Sequence, residues 1–574
     1  MFQLGIFCVG NTHFSVFNIM STAPLVTDMT SASRWPIHFI DAVRTCTLAS
    51  TDLMDRLHSR LTISVSTAFS GICAPSTALH MLFAPLSHFC HSSVNITYKF
   101  AIEWSGACQD ELRCLPTPPR CIHSNILAFC TDETHRIIDN AEKEAGDDGV
   151  HLDIWEATFI HRPNAVTLDT ECTNHNCSCS LSSSWLHVAG IPCTDYSSIG
   201  KGKGLAGITA KFLFTWIALM LRLRPFVLVL ENVTDFPYEI IAKFLWMYKY
   251  EELVLSNEFF GFAVARTRKY CLFTLVQACR LEFPLSFLPD LLGRTRSPAF
   301  TWNQSFMAEQ AEQVAEARAL RRRKGSIAHG RVVDIDDPNM FEESLSQCET
   351  KHLASFRALH PHHDSVFTLS QNAQHRDMSS GKDVLQTITA SAAMLWNDRL
   401  GRWATSRECL GMQGFPVYDQ MVTAFFDGHP LWPVSSFNVA RARCGLGPRV
   451  RGSMMHQAGN SMHTAVVGSV LLWALAFITT TDTSIAVPVP RPMRSPSLTS
   501  LQVDVCDDGG FDSALVRLRR PAGRRSISSD LSDAASGSSP VSISSSVVSV
   551  VSSCDNDLFD AMLLRLGTKR RRLL

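Results

Sequence analysis

Short apolar runs alternate with segments of helical periodicity through the middle of the chain. The β-branched run RLTISVSTAFSG has polar and apolar positions in period two and predicts a strand, and APSTALHMLFAPL directly after it has the pattern of a helix. NITYKFAIEW, SWLHVAGIPC and PFVLVLEN predict further strands, and TAKFLFTWIALMLRLR predicts an apolar helix between the last two. Strands that alternate with helices in this way indicate an α/β fold with a doubly wound, mostly parallel sheet.

Polar residues stand at the carboxyl ends of these predicted strands. Glu103 and Trp104 end the second strand, Cys193 ends the third and Glu231 ends the fourth. Ligands of open parallel sheets bind in the crevice at the carboxyl ends of the strands. These residues are therefore candidates for one shared site.

Composition and net charge exclude few classes of protein. The chain has 574 residues, of which 46% are hydrophobic and 18% charged, which is typical of a globular protein of two or three domains. The net charge of -1 argues against a uniformly basic nucleic-acid coat but permits a local basic groove. The apolar runs at 212–223 and 466–478 are shorter than the roughly 20 residues that span a bilayer, so they predict buried helices and no membrane partner.

The cysteines are scattered, and the first thirty residues lack a secretory signal, so reduced thiols inside a cell are expected for the 19 cysteines. Cys193 differs from the others because a loop with Gly200, Gly202, Gly204 and Gly207 follows it. Such a loop provides exposure and mobility, which a nucleophile needs. A buried, inert thiol is the alternative from the residues alone.

A set of motifs in a fixed order resembles the DNA cytosine-5 methyltransferase family. The Pro-Cys segment GIPCTDYSSIGKGKG is followed by LVLENV, GFAVARTRKY, RECLGMQGFP and QAGNSM, and is preceded by AFSGICAP, IEW and HLDIWEA. The sequence departs from the family at Ala263 and Val264, where a Pro-Gln pair is usual, and at Cys73 and Ala74, where glycines are frequent. The matches extend from about residue 61 to 475.

The resemblance implies a class I, Rossmann-like methyltransferase that uses S-adenosylmethionine and methylates carbon 5 of cytosine in duplex DNA. Cys193 would add to carbon 6 of a cytosine flipped out of the helix, and Glu231 would donate a proton or hydrogen bond to nitrogen 3. Arg266 and Arg268, two apart on a predicted strand, would clamp the base carbonyl and a phosphate. The family requires no metal for this reaction.

The resemblance also assigns a cofactor pocket, made of Phe69, Gly71, Glu103, Trp104, Asp153, Pro192, Asn460 and Ser461. The two aromatic side chains would stack on adenine, Glu103 would accept hydrogen bonds from the ribose hydroxyls, and Asp153 would accept one from the adenine amino group. Core aromatics and an ordinary turn at Asn460 are the plain alternatives.

The domain organisation follows from the order of the motifs and from composition. Residues 1–60 form an N-terminal extension, 61–275 the S-adenosylmethionine-binding catalytic domain, 276–400 a smaller target-recognition domain and 401–479 the returning part of the catalytic domain. The Ser- and Pro-rich segment 480–574 predicts a disordered tail. The basic cluster at 569–572 predicts nuclear import, with a solvated charged terminus as the alternative. Nothing in the sequence indicates the oligomeric state.

Three further segments have more than one interpretation. ECTNHNCSC offers Cys172, His175, Cys177 and Cys179 at spacings that suit zinc, and free thiols in a surface loop are the alternative. HPHHD, at 360–364, predicts a polar turn, and a metal site is the less favoured alternative. SFMAEQAEQVAEARALRRRKG predicts a helix capped by Ser305, whose late basic residues either match the helix dipole or contact phosphates.

Two other functions are compatible with the same catalytic residues. A tRNA cytosine-5 methyltransferase of the same family would share them, although the Cys-Phe-Thr tripeptide expected in its target domain is absent and CLFT at Cys271 is the nearest match. A non-enzymatic, DNA-binding homologue is the other alternative. Ala263 and Val264 favour it, and the presence of both Cys193 and Glu231 opposes it.

Overall fold

The fold is described from a computed structural model. The described residues are 5–9, 12–16, 25–45, 52–60, 62–90, 95–162, 164–197, 202–292, 297–298, 301–323, 340–362, 364–374, 379–380, 384–389, 394–423 and 456–480. The predicted tail after residue 480 and its basic cluster lie outside them, as do Gly200 and His363.

Strands and helices alternate along most of the described chain. The strands are β1 Gly5–Val9, β2 Thr12–Val16, β3 Leu25–Val26, β4 Thr62–Ala68, β5 Asn95–Ile102, β6 Cys121–His123, β7 Asp169–Cys172, β8 Cys177–Ser180, β9 Leu186–Ala189, β10 Val227–Asn232, β11 Tyr248–Ser256, β12 Thr267–Leu275, β13 Cys279–Leu281, β14 Ser297–Pro298, β15 Val366–Thr368, β16 Leu395–Asn397, β17 Arg402–Trp403 and β18 Ile478–Thr480. The helices are α1 Met29–Ser33, α2 Trp35–Thr45, α3 Asp52–Ser59, α4 Ala74–Cys90, α5 Gly106–Arg113, α6 Asp132–Ala145, α7 Leu152–Phe159, α8 Ala210–Leu223, α9 Tyr238–Phe244, α10 Leu288–Leu292, α11 Gln310–Arg323, α12 Gln347–Leu359, α13 Ser406–Met412, α14 Asp419–Thr423 and α15 Thr464–Phe477.

A seven-stranded sheet organises the structure, with the order β11-β12-β10-β9-β4-β5-β6. The five strands from β10 to β6 are parallel to their neighbours, whereas β12 runs antiparallel to both β10 and β11. The predicted α/β fold with a doubly wound, mostly parallel sheet is therefore confirmed, and β12 alone runs against the other six strands.

The central strands are covered on both faces. Every residue of β9 and β10 is buried, which is why the two segments are continuous apolar runs rather than alternating ones. The two strongly apolar segments became the buried helices α8 and α15, as predicted. The stretch His456–Phe477 is long and apolar enough to cross a membrane, but 94% of its most apolar window is buried inside the protein.

Residues upstream of the first motif pack onto the same core. Trp35 and Phe39 of α2 are fully buried, and α2 lies against α4 and α15. A Cβ atom on Gly468 of α15 would lie 2.1 Å from Cη2 of Trp35, so only glycine permits this approach. The segment 26–45 therefore belongs to the core, although the sequence places the start of the catalytic domain at residue 61.

A second apolar cluster lies within residues 314–403, in the region for which the sequence predicts a target-recognition domain, and Phe356, Phe367, Trp396 and Trp403 are buried in it. The predicted helix in this region begins later than expected. Ser305 ends a short 3-10 turn and is buried, whereas α11 begins at Gln310. The prediction that Ser305 caps this helix was wrong, because the chain makes a separate turn at Trp302–Ser305 before the helix starts.

Candidate active site

The site lies where the direction of strand order reverses. The chain enters the sheet at β4, adds β5 and β6 on one side, and then returns to add β9 and β10 on the other. Loops at such a switch point diverge and leave a crevice at the carboxyl ends of the strands. The loops after β4 and β9 flank this crevice, and they contain Phe69–Gly71 and Gly190–Cys193.

The loop after β4 has an unusual backbone. Phe69, Gly71 and Cys73 have φ angles of 53°, 53° and 59°, in the left-handed region that residues with a side chain rarely adopt. Strained backbone of this kind persists where surrounding contacts hold it, and it is frequent at ligand sites. Cys73 is fully buried beneath the loop, and burial raises the pKa of its thiol to about 11, so it is an inert core residue.

Glu103 is pinned at the end of β5. Its carboxylate accepts hydrogen bonds from Gly71 N at 2.7 Å and from Ser105 N at 2.9 Å, one on each oxygen. Burial raises the pKa of this carboxyl, and the backbone N–H groups of Ser105, Gly71 and Trp104 act in the opposite direction. The backbone N–H of Glu103 donates to His123 O on β6, so neighbouring strands fix its position.

The surroundings of Glu103 fit S-adenosylmethionine. Each of its carboxylate oxygens accepts a backbone N–H bond, and a carboxylate has further acceptor capacity, which suits the adjacent hydroxyls of a ribose. The next side chain, Trp104, is 80% exposed, and Phe69, in the loop after β4, is half-buried. An adenine ring offers such aromatic surfaces a stacking partner.

Asp153 has no described contact with this edge of the sheet. It lies in the first turn of α7, where its exposed carboxylate pairs with His151 at 3.2 Å. The strand next to Glu103 ends at His123 and leads into Asn125, whose side chain accepts from Leu127 N at 3.0 Å. Asn125, which sequence reasoning missed, therefore follows the strand beside Glu103, whereas the resemblance assigns the acceptor for the adenine amino group to Asp153.

Gly190 is the point where the cofactor loop and the catalytic strand approach each other. A Cβ atom there would lie 3.0 Å from Met462 Cε, 3.7 Å from Glu231 Oε2 and 3.8 Å from Phe69 O. Three segments distant in sequence therefore converge beside one glycine. Neither Gly190 nor Met462 was a candidate from the sequence, because only the folded chain reveals this convergence.

The segment 457–462 connects the two halves of the site. Gly459 O accepts from Arg266 Nη1, and the Gln457 side chain bonds to the thiol of Cys108 on α5, just beyond Glu103. Ser461 is buried and donates to Ala458 O, whereas Asn460 is exposed and bonds to His456. Ser461 is thus part of a turn that packs against the site, and Asn460 is directed to solvent.

Cys193 begins a tight turn directly after Pro192. Its carbonyl accepts from Tyr196 N and Ser197 N, each at 2.9 Å, and this turn fixes the start of the glycine-rich loop. The thiol is half-buried. Burial and the charge of Glu231 raise its pKa, whereas the charges of Arg268 and Arg266 lower it.

Glu231 and Arg268 form an ion pair beside this thiol. Arg268 Nε lies 3.2 Å from Glu231 Oε1, and both side chains are largely shielded from water. β10 and β12 are antiparallel neighbours, with Glu231 opposite Tyr270, so the two charged residues come from adjacent strands. Asn232 donates to Ile191 O at 3.0 Å, which holds the end of β10 against the loop that contains Cys193.

Arg266 lies outside the strand on which the sequence predicts both arginines. It lies just before β12, is 4% exposed, and its Nη1 donates to Ile388 O and Gly459 O, both at 3.1 Å. Burial and the neighbouring Arg268 lower its pKa to about 10. The described bonds of Arg266 therefore tie the site to the segment 385–388 and to the segment 457–462.

Ala263 and Val264, which depart from the family pattern, are buried in the main core. Backbone hydrogen bonds connect Ala263 and Ala265 to Leu385, and Val264 forms a parallel bridge with the same residue. The apolar pair is thus accommodated by packing and by backbone pairing.

Residues 180–424 match the family model described as C-5 cytosine-specific DNA methylase. This match includes Cys193, Glu231 and both arginines, the residues that the fold brings together. The region 180–424 is therefore similar to C-5 cytosine-specific DNA methylases. The family uses S-adenosylmethionine as methyl donor, and the sheet order of this chain is that of a class I methyltransferase.

The chain is also similar to solved methyltransferase structures. The Dnmt2 methyltransferase of S. pombe is 13% identical, with a TM-score of 0.34, over 72% of this chain and 98% of that one. A putative DNA modification methyltransferase from an E. coli prophage is 11% identical, with a TM-score of 0.36, over 72% of this chain and 98% of that one. No curated protein matches the chain significantly.

The glycine-rich loop of the matched region is anchored at its base. Asp195 is buried, and its Oδ2 accepts from Thr209 N at 2.9 Å and from Thr209 Oγ1 at 2.7 Å. Gly204 N donates to Asp195 O, and a Cβ atom on Gly207 would lie 2.1 Å from Asp195 Cγ. The two described ends of the loop are therefore joined to each other, and residues 198–201 between them lie outside the described residues.

The RECLGMQGFP motif in the matched region has a structural role. Glu408 is fully buried in α13, pairs with both terminal nitrogens of Arg402, and accepts from Ala308 N at 2.7 Å. Glu312 of α11 accepts from Thr405 Oγ1 at 2.8 Å and pairs with Arg407. Glu312, in the first turn of α11, therefore holds the start of α13.

Proposed function

We propose that this protein methylates carbon 5 of cytosine in DNA through a covalent adduct with Cys193. The observation that supports this most directly is the electrostatic contact of one thiol, one carboxylate and two guanidinium groups at the end of β9 and β10. Carbon 5 of cytosine is a weak nucleophile, and addition of a thiolate to carbon 6 makes it an enamine. A site with this set of groups suits that chemistry.

Each group has a defined task in the proposal. The Cys193 Sγ–carbon 6 bond forms while Glu231 donates a proton or hydrogen bond to nitrogen 3, which stabilises the electron density pushed into the ring. Bound S-adenosylmethionine would supply the electrophilic methyl group. A base then removes the proton from carbon 5, the Sγ–carbon 6 bond breaks and returns the thiolate, and any proton given to nitrogen 3 returns to Glu231.

Base flipping is part of the proposal because carbon 6 of a stacked cytosine is out of reach of a protein thiol. The loop from Thr194 to Gly207, anchored through Asp195 and Thr209, is suited to cover the extruded base. Arg268 would contact the base or phosphate, and the buried Arg266 would keep the thiol and carboxylate in a positive field.

The test compares wild type with Cys193→Ser in a tritium-transfer assay on duplex DNA. We expect methyl transfer to fall below detection in the variant, and wild type to form a denaturation-resistant complex with DNA containing 5-fluorocytosine, since fluorine cannot leave carbon 5 as a proton does. Bisulfite sequencing of the product locates the methyl group. Transfer by Cys193→Ser at the wild-type rate would remove the adduct from the mechanism.

DNA is the proposed substrate because the matched family is described as a DNA methylase. The nearest match to the tripeptide expected of a tRNA enzyme begins at Cys271, which is fully buried inside β12 and has no access to a substrate. Duplex DNA and tRNA are compared as acceptors in the same assay. Transfer to tRNA alone would replace the DNA proposal, and cofactor binding without transfer to either would favour a regulatory, non-enzymatic role.

We also propose that the protein acts in the nucleus, on the evidence of the basic cluster at 569–572. This cluster lies outside the described residues. Fusion of residues 480–574 to a fluorescent protein should direct it to the nucleus, and replacement of the four basic residues by alanine should abolish that localisation.

A further inference from the structure

A small hairpin extends one edge of the central sheet. β7 and β8 pair antiparallel, with Cys172 opposite Cys177, and the turn between them includes Asn176 at a φ of 51°. Hydrogen bonds attach the hairpin to the edge strand β6, from Thr173 N to Ile122 O at 2.8 Å and between His123 Nδ1 and Glu171 O at 3.0 Å. The hairpin is therefore held against the sheet near the strand that supports Glu103.

Four potential metal ligands meet between the hairpin and β6. The sulfur atoms of Cys121, Cys172 and Cys179 and a ring nitrogen of His175 all lie within 4.8 Å of one another. Nδ1 of His175 is 3.4 Å from Cys172 Sγ, 3.3 Å from Cys179 Sγ and 3.8 Å from Cys121 Sγ. Cys121 comes from a distant part of the sequence, and the fold brings it to the other three.

Hydrogen bonds alone do not account for this arrangement. A neutral imidazole nitrogen accepts one hydrogen bond, so a single Nδ1 cannot satisfy three thiols. In a tetrahedral zinc site with Zn–S of about 2.3 Å and Zn–N of about 2.0–2.1 Å, sulfur and nitrogen ligands are separated by roughly 3.5–3.6 Å. The three measured separations, between 3.3 and 3.8 Å, bracket that value.

We propose that Cys121, Cys172, His175 and Cys179 bind one structural zinc ion. Three thiolates and an imidazole complete the four-coordinate shell that structural zinc sites use, and they leave no open position for a reacting water. Cys172 is fully buried and His175 is exposed, so the site is at the surface with one side closed by the protein. This inference is independent of the proposed methyl transfer.

Cys177 is outside the ligand group, although the sequence alone includes it among the candidates. It is exposed, and its sulfur lies 4.0 Å from Cys179 Sγ, while its position in β8 is opposite Cys172. The spacing of the hairpin ligands is thus Cys-x2-His-x3-Cys, and the fourth ligand comes from β6. Cys177 provides a matched control from the same hairpin.

The proposed zinc ion would clamp the hairpin to the edge of the sheet. β6 begins at the ligand Cys121 and ends at His123, whose carbonyl accepts from the backbone of Glu103 at 2.9 Å. Binding energy at structural zinc sites is folding energy, because the site does not exist in the unfolded chain. Loss of zinc should therefore loosen the β6 edge first.

The test measures zinc in the full-length protein, purified without chelators, by mass spectrometry of the metal. We expect about one equivalent per chain in wild type and in Cys177→Ser, and at least a fivefold loss in Cys121→Ser, Cys172→Ser and Cys179→Ser. His175→Cys should retain zinc, because four thiolates also form a structural site. Cobalt exchanged for zinc should give thiolate-to-metal absorption that changes in His175→Cys and not in Cys177→Ser.

Alkylation of the wild-type protein alone tests the zinc proposal even if a variant does not fold. Alkylation resolved by peptide should spare Cys121, Cys172 and Cys179 until a chelator is added, while the exposed Cys177 reacts throughout. Less than a tenth of an equivalent of zinc after supplementation, equal loss of zinc in Cys177→Ser, or a disulfide among the three cysteines would each overturn the proposal.

Discussion

Charges of opposite sign act on the thiol of Cys193, and their effect on its pKa can be measured. Burial and Glu231 raise its pKa, while Arg268 and Arg266 lower it. Glu231→Gln removes a negative neighbour, so the pKa of the thiol should fall and alkylation of Cys193 should reach half its maximal rate at a lower pH. Arg268→Met removes a positive neighbour and should move that midpoint to a higher pH.

Alkylation resolved by peptide separates Cys193 from the other cysteines, and Arg268→Lys is the control that keeps the charge. Methyl transfer should respond differently. Glu231→Gln should lose about 10²–10⁴-fold in kcat although its thiol ionises more readily, because an amide cannot supply the proton to nitrogen 3. Unchanged midpoints in both charge variants would show that Cys193 is electrostatically isolated from the pair.

Gly190 defines a second prediction at the scale of one residue. Gly190→Val should abolish methyl transfer and weaken cofactor binding at least tenfold, because its side chain would enter the space between Met462, Glu231 and Phe69. Gly190→Ala would place one methyl group 3.0 Å from Met462 Cε, so it should also weaken cofactor binding. Adding Met462→Ala to the Gly190→Ala variant should restore that binding. Titration calorimetry with S-adenosylmethionine measures each step. Wild-type affinity in Gly190→Val would exclude this glycine from the cofactor site.

At the scale of elements, the sequence predicted secondary structure best in the segments whose conformation is determined by one short apolar run. β4, β5, β10 and α8 lie where their patterns indicate, because strand or helix burial dominates those segments. The helix start expected at Ser305 was wrong, since an independent turn intervenes before Gln310. Asn125 and Cys121 were missed because β6 is only three residues long and gives no periodic signal.

The contact between Asp195 and Gly207 at the base of the glycine-rich loop leads to a prediction about the motion of this loop. Gly207→Ala would place a methyl group 2.1 Å from Asp195 Cγ and should separate the two ends of the loop. We expect kcat to fall at least tenfold with little change in S-adenosylmethionine affinity, and limited proteolysis within 196–206 to accelerate. The neighbouring Ile208 is 58% exposed, so Ile208→Ala should leave both measurements unchanged. Equal effects of the two substitutions would argue against a role of the anchor.

The buried pair of Arg402 and Glu408 joins α13 to β17. Glu408→Gln leaves the Arg402 charge buried without its partner, and such a loss costs about 3–5 kcal/mol of unfolding free energy. The exposed pair of Arg44 and Asp41 is the control, and Asp41→Ala should cost less than about 1 kcal/mol. Urea unfolding followed by tryptophan fluorescence measures both. A loss below about 1 kcal/mol in Glu408→Gln would show that the site relaxes around the unpaired guanidinium.

At the scale of the whole molecule, the active site is assembled from segments hundreds of residues apart. Arg266 bonds to the carbonyls of Ile388 and Gly459, so one buried cation joins three distant segments at the site. The order of the motifs predicted which segments have functional residues, but not these backbone contacts, because any residue type supplies a carbonyl. In the same way, Leu385 pairs with the backbone at Ala263 and Val264, the two residues that depart from the family pattern, and this pairing does not depend on their side chains.

Helices from both ends of the described chain, α2 and α15, cover the core, and this predicts the effect of truncating the chain. α2 and α15 pack together through Trp35 and Gly468, so a chain that begins at residue 46 would expose the apolar faces of α4 and α15. We expect this truncation to be insoluble, and Trp35→Ala in the full chain to lose about 3–5 kcal/mol of unfolding free energy. Removal of 481–574, which the sequence predicts to be disordered, should leave the melting temperature and methyl transfer unchanged. Soluble, active protein from residue 46 onward would show that α2 covers the core without being needed to stabilise it.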